Sequence, residues 1–179
     1  RGGMGEAGRL ASLGRALGFG VTIIEKIEAR GAKASSTAIR EAVIAGAPEK
    51  AAVILGHDWV VDGTVEHGEK RGRTIGFPTA NLHLGEQIHP RHGEYAVRAR
   101  LAGEDAWRTA VANFGRTPTT GIRDPLLETF IFDFDGDIYG QTLEVALVRY
   151  LRPELKFDSL EAMVSQMQLD VAETKSVLG

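Results

Sequence analysis

Apolar and polar residues alternate with a period of two along several stretches between Trp59 and Leu151. Tyr95, Val97, Ala99 and Leu101 alternate with Ala96, Arg98 and Arg100. Leu143, Val145 and Leu147 alternate with Glu144 and Ala146. This period belongs to half-buried strands, because successive side chains in a strand point to opposite faces. Strands are predicted over Trp59–Val65, Tyr95–Leu101, Trp107–Phe114, Leu127–Phe134 and Leu143–Leu151. Gly103-Glu104-Asp105 and Asp135-Gly136-Asp137 supply turn chemistry between them. Ile75–Leu84 also carries apolar residues, but Pro78 demotes it to an edge strand or a loop. Short strands with no helices between them predict an antiparallel barrel or sandwich.

The two ends read differently. Leu10, Leu13 and Leu17 fall at i, i+3 and i+7, predicting a helix over Arg9–Leu17 that Gly18 and Gly20 stop. Val21–Ile27 is a strand candidate, ended by Gly31. Ser35-Ser36-Thr37 can cap a helix over Ala38–Ala45 that Gly46 closes. Pro48 opens a further helix to Leu55, stopped by Gly56. One strand cannot build a sheet alone, so residues 1–56 read as the tail of a larger α/β domain. The boundary is placed at Gly56–Asp58, giving units 1–56 and 57–179. At the other end, Leu160, Met163, Val164, Met167, Val171 and Val177 form the apolar stripe of a final helix. Asp158 and Glu161 offer a capping box. The stripe is expected to pack on the outside of the barrel.

Composition narrows the function classes. The 179 residues hold 21 Lys and Arg against 24 Asp and Glu, a net charge of −3, which argues against a bulk nucleic-acid binder. Cysteine is absent, so disulfides, thiolate-bound metals and thiol nucleophiles are excluded. No run approaches the ~18 apolar residues of a membrane helix, no secretory signal pattern opens the chain, and a cytoplasmic location is expected. The chain begins Arg1-Gly2-Gly3 rather than with Met, so further sequence upstream is expected. The 22 glycines are about 12% of the chain against a usual ~7%. That excess points to tight turns or phosphate-binding loops.

The densest candidate stretch is His67 to Asn81. Gly68, Gly72 and Gly76 free the backbone to approach a ligand, and Lys70, Arg71 and Arg73 add positive charge beside exposed amides. This suits a nucleotide phosphate, although the spacing is not that of the GxxxxGK[ST] loop and a basic surface loop has the same composition. Thr79 and Asn81 could both reach a hard cation such as magnesium, or Thr79 could simply shape a turn. Asn113 to Gly121 is a polar loop with Gly115 and Gly121 as hinges, fit to close over a ligand or merely to connect strands. Glu128 sits among apolar residues in a predicted strand; facing a pocket, it could take a proton from a hydroxyl. Asp133, Asp135 and Asp137 resemble half a calcium loop, but Glu144 is out of register, so turn formation is expected. His57, His67, His83, His89 and His92 show no zinc-binding spacing.

These motifs together resemble the riboflavin kinase family. Arg71-Gly72-Arg73-Thr74-Ile75-Gly76-Phe77-Pro78-Thr79-Ala80-Asn81 resembles its signature, Asn113–Thr119 its second loop, and Leu127–Gly140 its strand with a catalytic glutamate followed by a turn. Leu151–Leu160 resembles the junction to its final helix. The resemblance runs from Leu55 to the end and implies a six-stranded antiparallel Greek-key β-barrel with a C-terminal helix. It implies ATP-dependent phosphorylation of riboflavin to FMN, with ADP as the second product and Mg2+ as cofactor. Glu128 is implied as catalytic base and Thr79 and Asn81 as metal ligands. Gly68, Arg71, Gly72, Arg73, Gly76, Phe77, Pro78 and Asn113 are implied to bind nucleotide or flavin. Phe130 stands where the family commonly has histidine and Glu94 where it commonly has a small apolar residue.

Ala34–Arg40 resembles the end of the nucleotidyltransferase domain of bacterial bifunctional riboflavin kinase/FAD synthetases, with Ala38 where arginine is usual. An upstream nucleotidyltransferase domain is therefore implied in the full gene product; no nucleic-acid or membrane partner is. Two alternatives stay open: a full gene product that also adenylylates FMN to FAD, and a flavin-binding module without catalysis.

Overall fold

The computed structural model describes residues 7–22, 28–29, 32–33, 35–67, 77–116 and 125–179. Before the barrel come α1 (Ala7–Leu17), a two-stranded antiparallel hairpin of β1 (Glu28–Ala29) and β2 (Ala32–Lys33), α2 (Ser36–Ile44) and α3 (Pro48–Leu55). The hairpin was not expected, since two-residue strands are too short to show a period. The strand expected at Val21–Ile27 falls mainly on residues 23–27, outside the described residues. Helix α2 begins two residues earlier than expected because the Ser35 hydroxyl accepts from Ala38 N and sets the cap there. Helix α3 has Pro48 in its first turn and ends at Gly56, whose φ of 81° lets the backbone turn left-handed.

Six strands follow: β3 (Trp59–Thr64), β4 (Ala80–His83), β5 (Gly93–Leu101), β6 (Arg108–Gly115), β7 (Leu126–Ile131) and β8 (Thr142–Arg152). Every pairing is antiparallel, in the order β3-β8-β5-β6-β7-β4. The two end strands meet through a bridge between Glu66 and Asn81, where Glu66 N donates to the Asn81 carbonyl at 2.9 Å. The sheet is thus a nearly closed Greek-key barrel. The short strand β4 takes the sheet-end place that Pro78 foretold. Strand β7 stops at Ile131, short of the expected Phe134, because Asp133 turns the chain with a φ of 53°.

The alternating positions meet inside. Leu82, Tyr95, Phe114, Leu127, Leu143 and Leu147 are wholly buried and form the centre of the core. Burying each such side chain contributes about 1.5–3 kcal/mol.

The final helix, α4 (Leu160–Leu178), packs outside the barrel against β5, β6 and β8, as expected. Its cap is Ser159 rather than Asp158: Ser159 has extended backbone and its hydroxyl accepts from Ala162 N. Its packing face is the expected stripe, with Met163, Val164, Met167, Val171 and Val177 partly buried, but two polar residues sit deepest within it. Leu160 is exposed, and the deepest positions are Asp170 and Thr174. Asp170 is buried because it meets Arg152 of β8 in a two-pronged ion pair, with bonds of 2.9 and 2.6 Å.

Candidate active site

The antiparallel registers align one polar residue from each of five neighbouring strands. Asn81 of β4 stands opposite Glu128 of β7, Glu128 opposite Asn113 of β6, Asn113 opposite Glu94 of β5, and Glu94 opposite Arg152 of β8. Directly opposed residues share a sheet face. In β7, Leu127, Thr129 and Ile131 point into the barrel, so Glu128 lies on the outer face with the rest of the row. Asp170 of α4 extends the row beyond Arg152.

Direct contacts knit its far half. Asn113 Nδ2 donates to Glu94 Oε2 at 3.1 Å, and Arg152 lies 3.6 Å from the same oxygen. Only 12% of the Glu94 side chain and 2% of that of Asp170 are exposed. Burial pushes the Glu94 carboxyl above the ordinary carboxylate range. The Asn113 hydrogen bond and Arg152 draw it down; Asp170 and Glu128 push it further up.

At the near end, Asn81 Oδ1 is buried without a hydrogen-bond partner among the described residues. A buried acceptor left so is costly unless something donates or coordinates to it. It is an oxygen of the kind magnesium takes, and Thr79 supplies a hydroxyl two residues away. No group of three or more His, Asp or Glu suited to a metal occurs among the described residues. The buried, unpartnered Asn81 oxygen has the chemistry of a single ligand to a hard cation.

Two cavities flank β7, one on each face of the strand. One, of about 260 Å3, lies between β7 and α4 and is lined by Phe77, Phe130, Phe132, Asp133, Val171 and Lys175. The rings of Phe77 and Phe130 meet edge to face at 5.0 Å, and Phe130 packs on Phe132 at 5.6 Å. Phe130 follows Glu128 by two residues, so the cavity opens on the strand face that carries Glu128. The other, of about 430 Å3, is lined by Pro78, Thr79, Thr129, Asp135, Asp137 and Tyr139, among others. Thr129 Oγ1 is a second buried oxygen without a hydrogen-bond partner among the described residues. His67 stacks on Tyr139 at 3.8 Å.

Of the residues singled out from the sequence, Asn81, Asn113 and Glu128 come together in the row. Phe77 lines the aromatic cavity, and Pro78 and Thr79 line the larger one. Gly68, Arg71, Gly72, Arg73 and Gly76 lie outside the described residues. Glu94 registered in the sequence only as a departure from the family pattern, and Arg152, Asp170, Thr129 and the Phe132 wall gave no sequence signal as site residues.

A family model described as riboflavin kinase matches residues 55–178. This chain belongs to the riboflavin kinase family. Among curated relatives, the bifunctional riboflavin kinase/FMN adenylyltransferase of Listeria monocytogenes is 41% identical over 160 residues, covering 88% of this chain and 50% of the relative. The protein of the same description from Haemophilus influenzae is 44% identical over 142 residues, covering 79% and 46%. The riboflavin kinase family chain thus spans about half the length of the curated relatives it matches. A solved Streptococcus pneumoniae structure described as a macrolide-efflux protein superposes with a TM-score of 0.78 at 36% identity, covering 91% of this chain and 53% of that one. Among the described residues of this family member, no helix is long and apolar enough to cross a membrane.

Proposed function

We propose that this chain transfers the γ-phosphoryl group of ATP to the 5′-hydroxyl of riboflavin, giving FMN and ADP. The observation that carries this reading is the Asn81–Glu128–Asn113 row, opening on the same strand face as an aromatic cavity. The flat, apolar ring system of riboflavin suits the Phe77, Phe130 and Phe132 walls. Its ribityl chain then runs toward Glu128 and Asn113. The nucleotide takes the larger cavity beside Pro78, Thr79 and Tyr139; the family resemblance assigns Arg71, Arg73 and the glycines at 68, 72 and 76, which lie outside the described residues, to nucleotide binding.

Glu128 orients the 5′-hydroxyl and accepts its proton. The hydroxyl oxygen forms a bond to the γ-phosphorus as the bond from that phosphorus to the β–γ bridging oxygen breaks, and ADP leaves with the electron pair. Thr79 and Asn81 would hold magnesium, which supplies charge neutralisation at the phosphates when bound. Asn113 holds the ribityl chain in line. Phosphoryl transfer asks the protein mainly for positioning and charge neutralisation, and these residues provide both.

The length of the relatives and the start of the family match at residue 55 support assigning residues 57–179 to the kinase barrel. They also support reading residues 1–56 as the end of a nucleotidyltransferase domain in a longer, bifunctional gene product. The deciding experiment is FMN formation by the purified chain with riboflavin, ATP and magnesium. FMN that needs all three supports the kinase. Tight riboflavin binding with no turnover replaces it with a flavin-binding module.

A further inference from the structure

The Asn113–Glu94 contact carries a consequence for substrate recognition. An ionised carboxylate only accepts hydrogen bonds, whereas a primary amide has a donating end and an accepting end. Arg152, held in turn by Asp170, lies 3.6 Å from the same Glu94 oxygen that accepts from Asn113, so that oxygen faces donors on two sides and acts as an acceptor. The contact therefore fixes which way the Asn113 amide points. Its nitrogen faces β5, and its oxygen is turned toward Gly115, two residues along the same strand face. A Cβ on Gly115 would stand 3.1 Å from Asn113 Oδ1 and would collide with the Glu154 carboxylate, so the bare glycine lets that carboxylate seat against β6 and brings two acceptor oxygens together there. Two acceptors without a donor between them suit a hydroxyl-rich ligand.

We propose that Glu94 is a positioning residue that sets the polarity of the Asn113 amide, so that Asn113 Oδ1 accepts from a ribityl hydroxyl of riboflavin. The proposal rests on the kinase reading. Without Glu94 the amide can turn its nitrogen toward the substrate, and an acceptor becomes a donor facing the wrong partner.

The test exchanges the two chemistries. Glu94→Gln is nearly isosteric but offers a donor as well as an acceptor, so the Asn113 amide loses its fixed sense. Asn113→Asp sets two carboxylates against each other. The double variant Glu94→Gln/Asn113→Asp restores one amide and one carboxylate, with an acceptor oxygen left for substrate. Loss of one substrate hydrogen bond is expected to lower kcat/KM for riboflavin about tenfold in each single variant. The KM for ATP should stay unchanged, and the double variant should recover most of the loss. Riboflavin affinity, read by quenching of flavin fluorescence, should follow the same order.

An unimpaired Glu94→Gln enzyme overturns the proposal, as does a double variant no better than its parents. Equal losses for riboflavin and ATP that track the Tm of each variant assign Glu94 a structural role instead. A folded wild-type chain that forms no FMN overturns the kinase reading and the role of Glu94 with it, whereas an active wild type confines any failure to Glu94.

Discussion

Asn81 and Glu128 stand directly opposite each other across the β4–β7 ladder, an amide with an orphaned oxygen facing a carboxylate. In the proposed reaction, Asn81 serves the cation side of the phosphoryl transfer and Glu128 the nucleophile side. Glu128→Gln keeps the size and loses the base. The expected outcome is riboflavin affinity within about twofold of wild type and kcat lower by ~10²–10⁴. Single-turnover FMN formation measured beside fluorescence titration checks it, and near-normal kcat would remove Glu128 as the base.

Thr79→Ala removes a hydroxyl from the wall of the larger cavity. The magnesium concentration for half-maximal FMN formation should rise several-fold, with riboflavin affinity unchanged. A magnesium titration at saturating riboflavin decides this, and an unmoved midpoint assigns Thr79 to the turn alone.

The raised Glu94 carboxyl gives a pH dependence of stability with a definite sign. The folded state holds the Glu94 proton more tightly than the unfolded chain, whose glutamates titrate near ~4.3. Its stabilising contribution is complete below that value and is lost as pH rises through the higher folded value. Glu94→Gln has no such proton. The Tm of wild type minus that of Glu94→Gln should therefore be largest in acid and shrink toward neutrality. Thermal melts from pH 4 to 7 test this, and a difference that grows with pH contradicts it.

Asp170→Ala leaves Arg152 without its two-pronged partner in a site where Asp170 is 2% exposed. Removing one member of a buried ion pair costs about 3–5 kcal/mol. Chemical denaturation should show a loss of this size, with α4 loosened from β8. A loss under about 1 kcal/mol would mean that Arg152 finds sufficient compensation in Glu94 and water.

The barrel was legible because its strands carry a strict apolar alternation, most clearly at Tyr95–Leu101 and Leu143–Leu147. Glu128 was legible because a carboxylate within an apolar strand is unusual. The row was not. It depends on the registers of β4, β7, β6, β5 and β8, which no local pattern encodes. Glu94 and Arg152 look like ordinary outward-facing charges until the sheet is assembled. Asp170 interrupts the apolar stripe of the final helix on its packing face, and only its ion pair with Arg152 explains a carboxylate there. Phe130 registered only as a departure from a family pattern; its partnership with Phe77 needed β4 to be paired with β7.

The bridge between Glu66 and Asn81 gives the barrel seam a second use. Asn81 spends its main-chain carbonyl on closing the cylinder and leaves its side-chain oxygen to the row, so one residue serves both the clasp and the site. Anything that grips the Asn81 side chain also tightens the clasp. The Glu66 amide proton is therefore a native reporter: its exchange with deuterated solvent should slow when magnesium and nucleotide bind, and should not respond to riboflavin alone.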